Sequence, residues 1–429
     1  MPKRISWTTP LASVQWLFFI FANTVVIPLS VGSAFELPTD DIAEIVRSSL
    51  IFTGIACMLQ SLVGHRYPLL EGHSGVMWGL MLTLSVSASS MGMSLTSIGG
   101  GIATGMLLSG IVVMALGAFN LLSFIQKVFT PMVMSVFLFL LTFQLISIFF
   151  KGMLKTSPDG VLDMPVSLFS IGIALFVILL KIKGTTAIGN FSILIGMIVG
   201  WMMYLLVFPS AQSVNVAQSS LSFPIFPLGT PNMNVSIIAI TFLASFVNLS
   251  NTIASVRAAS HLFQRQATKS QLKNSYVLSG LFSMAASVLG LVSYATFAST
   301  IGFLESTRNF DRKPFLIGGG LMSLLGIIPF LGGILATLPI TVGNAVLFAA
   351  YLQLLGTSLK SIKGYDFNSV TIHRLAIPLL AGVCIMNVDA SLFSGMPALL
   401  QPLLTNGFIM GVLLSILLEK LVNWEKVGT

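Results

Sequence analysis

Ser293-Tyr-Ala-Thr-Phe-Ala-Ser-Thr-Ile-Gly-Phe-Leu-Glu-Ser-Thr-Arg308 lies between two strongly apolar stretches. It is too polar for an ordinary membrane helix and too apolar for a plain loop. The surrounding chain of 429 residues is 55% hydrophobic and only 8% charged, against about 25% charged residues in a typical soluble domain. Its mean hydropathy is +0.96. No soluble core hides that much apolar surface, so the bilayer must act as the solvent. In that setting residues 293–308 read as a span that breaks at membrane depth.

A helical span needs roughly 20 apolar residues. Fourteen candidates run approximately over 11–32, 46–64, 75–89, 97–122, 129–150, 164–183, 187–207, 235–255, 275–291, 299–306, 313–336, 340–356, 371–387 and 399–421. Helices are expected because backbone groups in lipid must be satisfied internally. A barrel would show alternating strands of about 10 residues instead. The fold class is therefore an all-α polytopic membrane protein, one membrane domain over 1–429, with short third and tenth spans broken by polar residues. Cys57 and Cys384 fall inside spans and read as small packing residues, not as a disulfide or metal framework. Lys3 and Arg4 precede a long apolar run that reads as an uncleaved first span.

The net charge of +8 could point to nucleic acid, but its distribution argues against that partner. With the N-terminus inside and fourteen crossings, 18 of the 21 Lys and Arg residues fall on the cytoplasmic side, and Arg47, Lys151 and Lys155 fall outside. This is the positive-inside bias that orients membrane proteins. It predicts both termini in the cytoplasm of a bacterial cell whose plasma membrane holds the chain. The loop 208–234 is uncharged and carries Pro209, Pro224, Pro227 and Pro231. It separates seven spans (first repeat, 1–207) from seven (second repeat, 235–429), so the halves enter the membrane in opposite senses. Matched features support an inverted repeat: Pro131 opens the fifth span and Pro339 the twelfth, while Gly99–Gly101 opens the fourth and Gly318–Gly320 the eleventh. Broken spans at corresponding positions of two such halves point to a midplane binding site.

Polar groups at membrane depth are costly and mark function. In the third span, Glu71-Gly72-His73-Ser74-Gly75 precedes an apolar helix. A helix that starts mid-membrane points free N–H groups at a ligand. Ser299-Thr300 would do the same from the tenth span. The eighth span carries Asn248, Asn251, Thr252 and Ser255 on one face by their i, i+3, i+4 and i+7 spacing. That stripe faces either a cavity or neighbouring helices, to which it would hydrogen-bond; the amide of Asn248 suits a planar ligand with mixed edges. Phe297 and Trp16 are candidates for stacking on such a ligand. Gln15 and Asn23 place amides in the first span, ahead of Pro28, which breaks or ends it. Gln144 is a lone amide read as a packing partner. Glu71 and His73 are the titratable groups available to carry a proton. The four histidines have no metal-ligand spacing, no nucleotide loop or hydrolase motif occurs, and neither cofactor nor enzymatic chemistry is expected.

These residues resemble the nucleobase–ascorbate transporter family (nucleobase cation symporter class 2), which includes bacterial uracil and xanthine permeases, over nearly the whole chain. The first span, with Gln15-Trp16 and Pro28, is similar to the family's Gln-His span, with Trp16 at the His position. Pro68 to Ser74 resembles its Pro-x-x-x-Gly-x-Ser segment, and Gly75 stands where an aromatic often follows. The tenth-span signature of Glu or Gln, Asn, x, Gly, four variable residues, Thr, Arg aligns with Ser299, Thr300, Ile301, Gly302, Thr307 and Arg308. The Gly, Thr and Arg match; the two binding positions do not. The eighth span has Asn248 where the family places a base-binding Glu.

The resemblance implies a core domain of spans 1–4 and 8–11, a gate domain of spans 5–7 and 12–14, elevator-like alternating access, and dimerisation through the gate. It implies a nucleobase or similar small planar substrate, a purine such as xanthine or urate ahead of uracil, with protons as the coupling partner left open because Asn248 and Ser299 cannot carry one. The alternatives are an anion carrier of the related sulfate-transporter fold and a non-transporting membrane receptor or scaffold.

Overall fold

The computed structural model describes residues 8–89, 91–119, 127–156, 160–208, 223–297, 299–393, 395–397 and 400–424. Lys3, Arg4, Pro209 and Lys426 lie outside the described residues. The elements are α1 (Thr8–Ala22), α2 (Val26–Ala34), α3 (Thr39–Leu62), β1 (Glu71–His73), α4 (Gly75–Val86), α5 (Leu95–Ala118), α6 (Pro131–Met153), α7 (Met164–Lys183), α8 (Thr186–Val207), α9 (Val235–Leu262) and α10 (Lys269–Val288). They continue with β2 (Tyr294–Thr296), α11 (Ser299–Thr307), α12 (Arg312–Ile327), α13 (Pro329–Ala336), α14 (Ile340–Ser361), α15 (Ser369–Met386), α16 (Gln401–Leu404) and α17 (Gly407–Leu421). Among the described residues eight helical segments are long and apolar enough to cross a membrane. The chain is a multi-pass membrane protein.

Two expected spans break where their sequence requires it. In the first, the helix is interrupted at Asn23–Val25, upstream of Pro28, which sits inside α2. A proline disrupts the turn before itself, because its ring meets the carbonyl four residues back. The side chains of Asn23 and Thr24 donate to Phe19 O and Ile20 O and so satisfy carbonyls next to the gap. The stretch 313–336, expected as one span, is divided into α12 and α13, with Pro329 opening the second piece.

Among the described residues the all-α expectation fails where two short strands pair. Glu71–His73 and Tyr294–Thr296 form an antiparallel two-stranded ribbon with Glu71 opposite Thr296, Gly72 opposite Ala295 and His73 opposite Tyr294. All six residues are buried. Extended backbone at this depth leaves N–H and C=O groups that no water can satisfy, and pairing answers them. Flanking bonds, Ser74 N to Ser293 O at 2.7 Å and Phe297 N to Leu70 O at 2.8 Å, extend the ladder.

Helix packing around the ribbon comes in matched pairs. α5 packs on α10 and α9, while α12 packs on α3 and α1. α6 and α14 pack on each other; α6 also takes α15 and α17, and α14 takes α7 and α8. The two crossings nearest the ribbon use facing glycines. A Cβ on Gly54 of α3 would meet Gly319 O of α12 at 2.3 Å, and one on Gly280 of α10 would meet Gly110 O of α5 at 2.7 Å. Small residues that let backbones touch are the usual means of helix association in lipid, and both α3 and α10 reach the polar face of the same two strands, through Ser49, Thr53 and Ser279.

Candidate functional site

The ribbon has two faces. On one, Glu71, His73, Tyr294 and Thr296 lie together, as cross-strand pairing demands. Glu71 accepts from Ser279 Oγ at Oε1 and from Thr296 Oγ1 at Oε2, both at 2.7 Å. Ser279 in turn accepts from Gln60 Nε2 at 3.0 Å. His73 Nδ1 lies 3.1 Å from Val292 O and its Nε2 lies 2.6 Å from Ser49 Oγ. A carbonyl can only accept, so Nδ1 carries the proton and Nε2 accepts from Ser49. Tyr294 pairs its hydroxyl with Thr53 Oγ1 at 3.0 Å and its ring with His73 at a centroid distance of 5.0 Å. On the other face stand Gly72 and Ala295, with the Phe297 ring 3.6 Å from where a Cβ on Gly72 would sit.

Side chains from flanking helices close the ribbon's edges. On α9, Asn248 Nδ2 donates to Tyr294 O at 3.2 Å and Ser255 Oγ donates to Thr296 O at 2.9 Å. On α3, Cys57 Sγ lies 3.4 Å from both the N and the O of Glu71. Cys57 is thus a weak edge partner rather than simple filler, while Cys384 is exposed.

Two helices start at the ribbon's ends. Ser74 caps α4 by accepting from Met77 N at 3.3 Å, and donates its own proton to Asn248 Oδ1 at 2.6 Å. Thr300, in the first turn of α11, accepts from Leu70 N at 3.2 Å. Of the sequence-predicted residues, Glu71, His73, Ser74, Gly75, Asn248, Thr252, Phe297 and Thr300 come together here. Thr252 approaches Thr296 Oγ1 at 3.5 Å, and Gly75 is half-buried beside Leu145. Ser299 is the exception: it is exposed on α11. Gly302 is exposed, and a Cβ added there would meet open space. Arg308, in the left-handed conformation at φ 50°, ends α11, with its N–H on Leu304 O.

Trp16 is 1% exposed and ringed by Phe19, Phe303 and Phe315, which makes it a packing aromatic that ties α1 to α11 and α12. Gln15 is half-buried on α1. Gln144 packs on Gly79, where a Cβ would come within 2.8 Å of its amide carbon. Pro131 is the first residue of α6 and Pro339 the N-cap of α14, so both set helix starts away from the ribbon. Ser49, Thr53, Gln60 and Ser279 were not anticipated. For all but Gln60 the signal is spacing: Ser49, Thr53 and Cys57 on α3, and Ser275, Ser279, Ser283 and Ser287 on α10, recur every fourth residue and are all buried.

The permease family designated Xan_ur_permease matches residues 8–391 of the chain. YwdJ of Bacillus subtilis (strain 168), whose name gives purine permease as a provisional assignment, is 28% identical over 428 residues, covering 97% of this chain and 96% of its own. The nucleobase transporter PlUacP of Paenibacillus larvae is 24% identical over 416 residues, covering 94% and 92%. Among solved structures, the transmembrane domain of a cyanobacterial bicarbonate transporter, BicA, superposes with a TM-score of 0.63 at 12% identity, over 95% of this chain and 98% of that one. That last likeness is one of fold alone. The family match and the full-length relatives, permeases and not enzymes, establish that the chain belongs to the nucleobase–ascorbate transporter family.

Proposed function

We propose that the chain is a nucleobase permease for an oxopurine such as xanthine or urate, and that the base binds where α4 and α11 begin. The observation that carries this reading is the buried ribbon with a helix starting at either end. Ser74 and Thr300 sit in those starts, and the free N–H groups of each first turn offer donors to the carbonyl oxygens of an oxopurine. Gly72 and Ala295 leave a flat surface beside Phe297, against which a planar ring can lie. Asn248 holds Ser74 and β2 in register and presents its remaining N–H to the same place. Ser299, exposed at the start of α11, is free to meet the ligand.

Fourteen crossings in a seven-plus-seven inverted repeat, with both termini cytoplasmic, is the topology we propose. The mirrored packing of α5 on α10 and α12 on α3, together with the placement of Lys and Arg, supports it. The core would hold α1–α5 and α9–α13, and the gate α6–α8 and α14–α17. Because the ribbon is wholly buried, substrate must reach it by movement of one body against the other, as alternating access requires.

Glu71 takes the coupling role in this reading. It is the carboxylate in the ribbon, and a proton placed on it needs only one hydroxyl partner to turn. His73 already has both ring nitrogens engaged. The test is uptake of labelled xanthine, urate and uracil into proteoliposomes, with sulfate and bicarbonate as competitors. Saturable oxopurine uptake untouched by the anions is expected. Competition by sulfate or bicarbonate would favour an anion carrier, and binding without flux a receptor.

A further inference from the structure

Away from the ribbon, the end of α9 and the start of α10 enclose a half-open cavity of about 510 Å³. Its wall includes Arg257, Ser260, His261, Gln264, Arg265 and Tyr276. Residues 251–280 contain Arg257, Arg265, Lys269 and Lys273 and no Asp or Glu. Among the described residues no ion pair engages Arg257 or Arg265. The wall is braced: the Tyr67 hydroxyl lies 3.2 Å from Ser260 Oγ and donates to Arg265 O.

Tyr276 distinguishes this cavity from a diffuse basic surface. It lines the wall, is 1% exposed, and its hydroxyl has no hydrogen-bond partner. Buried hydroxyls are nearly always partnered, because leaving one empty costs stability. An O–H donor deep in a wall that also bears two unpaired guanidinium groups calls for an acceptor with negative charge. Guanidinium groups favour the oxygens of phosphate, and the volume exceeds that of a bare phosphate.

We propose that this cavity binds a phosphate-bearing anion, with Arg257 and Arg265 supplying charge and the Tyr276 hydroxyl a buried donor. A lipid headgroup and a soluble phosphate share that chemistry, and basic pockets at membrane-helix ends collect anionic headgroups. The full-length protein in neutral detergent is titrated with inorganic phosphate in one arm and short-chain phosphatidylglycerol in the other. Saturable binding and a raised Tm are expected in at least one arm: phosphate binding assigns a soluble anion, and binding of the lipid alone assigns a headgroup.

Tyr276→Phe removes only an unpartnered hydroxyl, so the unliganded protein should melt no lower than the parent, while binding weakens roughly tenfold. Arg257→Gln combined with Arg265→Gln should abolish it. No saturable binding of either probe, or undiminished binding by Tyr276→Phe, would overturn the proposal.

Discussion

The two faces of the ribbon are built from opposite materials. One gathers a carboxylate, an imidazole, a phenol and a threonine, and each of these polar side chains has a partner on α3, on α10 or within the ribbon itself. The other offers Gly72 and Ala295, which have almost no side chain to offer. A strand alternates its side chains, so a three-residue strand can keep a titratable group and a flat ligand surface one residue apart and on opposite sides. In the proposed scheme the separation would matter for transport. A proton would join or leave the polar face without entering the space proposed for the base, and both faces would move with the same backbone.

Removing the centre of the polar face should have the largest effect. Glu71→Ala leaves the hydroxyls of Ser279 and Thr296 without their acceptor. It should cost roughly 1–3 kcal/mol of stability and abolish uptake, read as a lower Tm in detergent and as lost xanthine flux. Filling the small face tests the other side. A Cβ on Gly72 would have ordinary room, at 3.6 Å from Phe297, so Gly72→Ala should keep its yield and Tm. Gly72→Val adds methyl groups where the ring is proposed to lie, and should lower oxopurine uptake roughly tenfold or more while the protein still folds. Equal uptake by parent and Gly72→Val would move the ligand off this face.

How much of this is legible in the sequence differs by element. The broken spans were readable at both 71–75 and 293–308, because polar residues interrupt apolar runs there. The pairing of Glu71 with Thr296 was not readable: 225 residues separate them, and a three-residue strand has no pattern of its own. The stripe of Asn248, Asn251, Thr252 and Ser255 is visible in the sequence, but periodicity shows only which residues share a face. Two of the four, Asn248 and Ser255, cap the open edge of β2, the hydrogen-bonding alternative to a cavity lining. The hydroxyl stripes of α3 and α10 are not distinctive in the sequence, because serine and threonine are common packing residues in membrane helices. The exposure of Ser299 followed from the orientation of α11, which no local signal encodes.

The edge contacts predict smaller effects. Asn248→Ala removes the bonds to Ser74 and Tyr294 O, and should lower stability by about 1 kcal/mol and weaken uptake without abolishing expression. Ser255→Ala loses a single bond to Thr296 O. It should cost about 0.6 kcal/mol and leave uptake near the parent value, measured as Tm and initial rate. Ser299→Ala should be smallest in stability, within about 0.5 kcal/mol, because the side chain is exposed; any fall in uptake from it would report contact with ligand.

The division of labour between the faces is tested most directly by Glu71→Gln, which preserves shape and removes the proton site. Labelled xanthine uptake is followed in proteoliposomes under an imposed pH gradient and, separately, as exchange at equal pH. The account predicts that the parent accumulates xanthine along the gradient, whereas Glu71→Gln exchanges it across the membrane but no longer accumulates it. Gradient-driven accumulation that survives in Glu71→Gln would contradict the account.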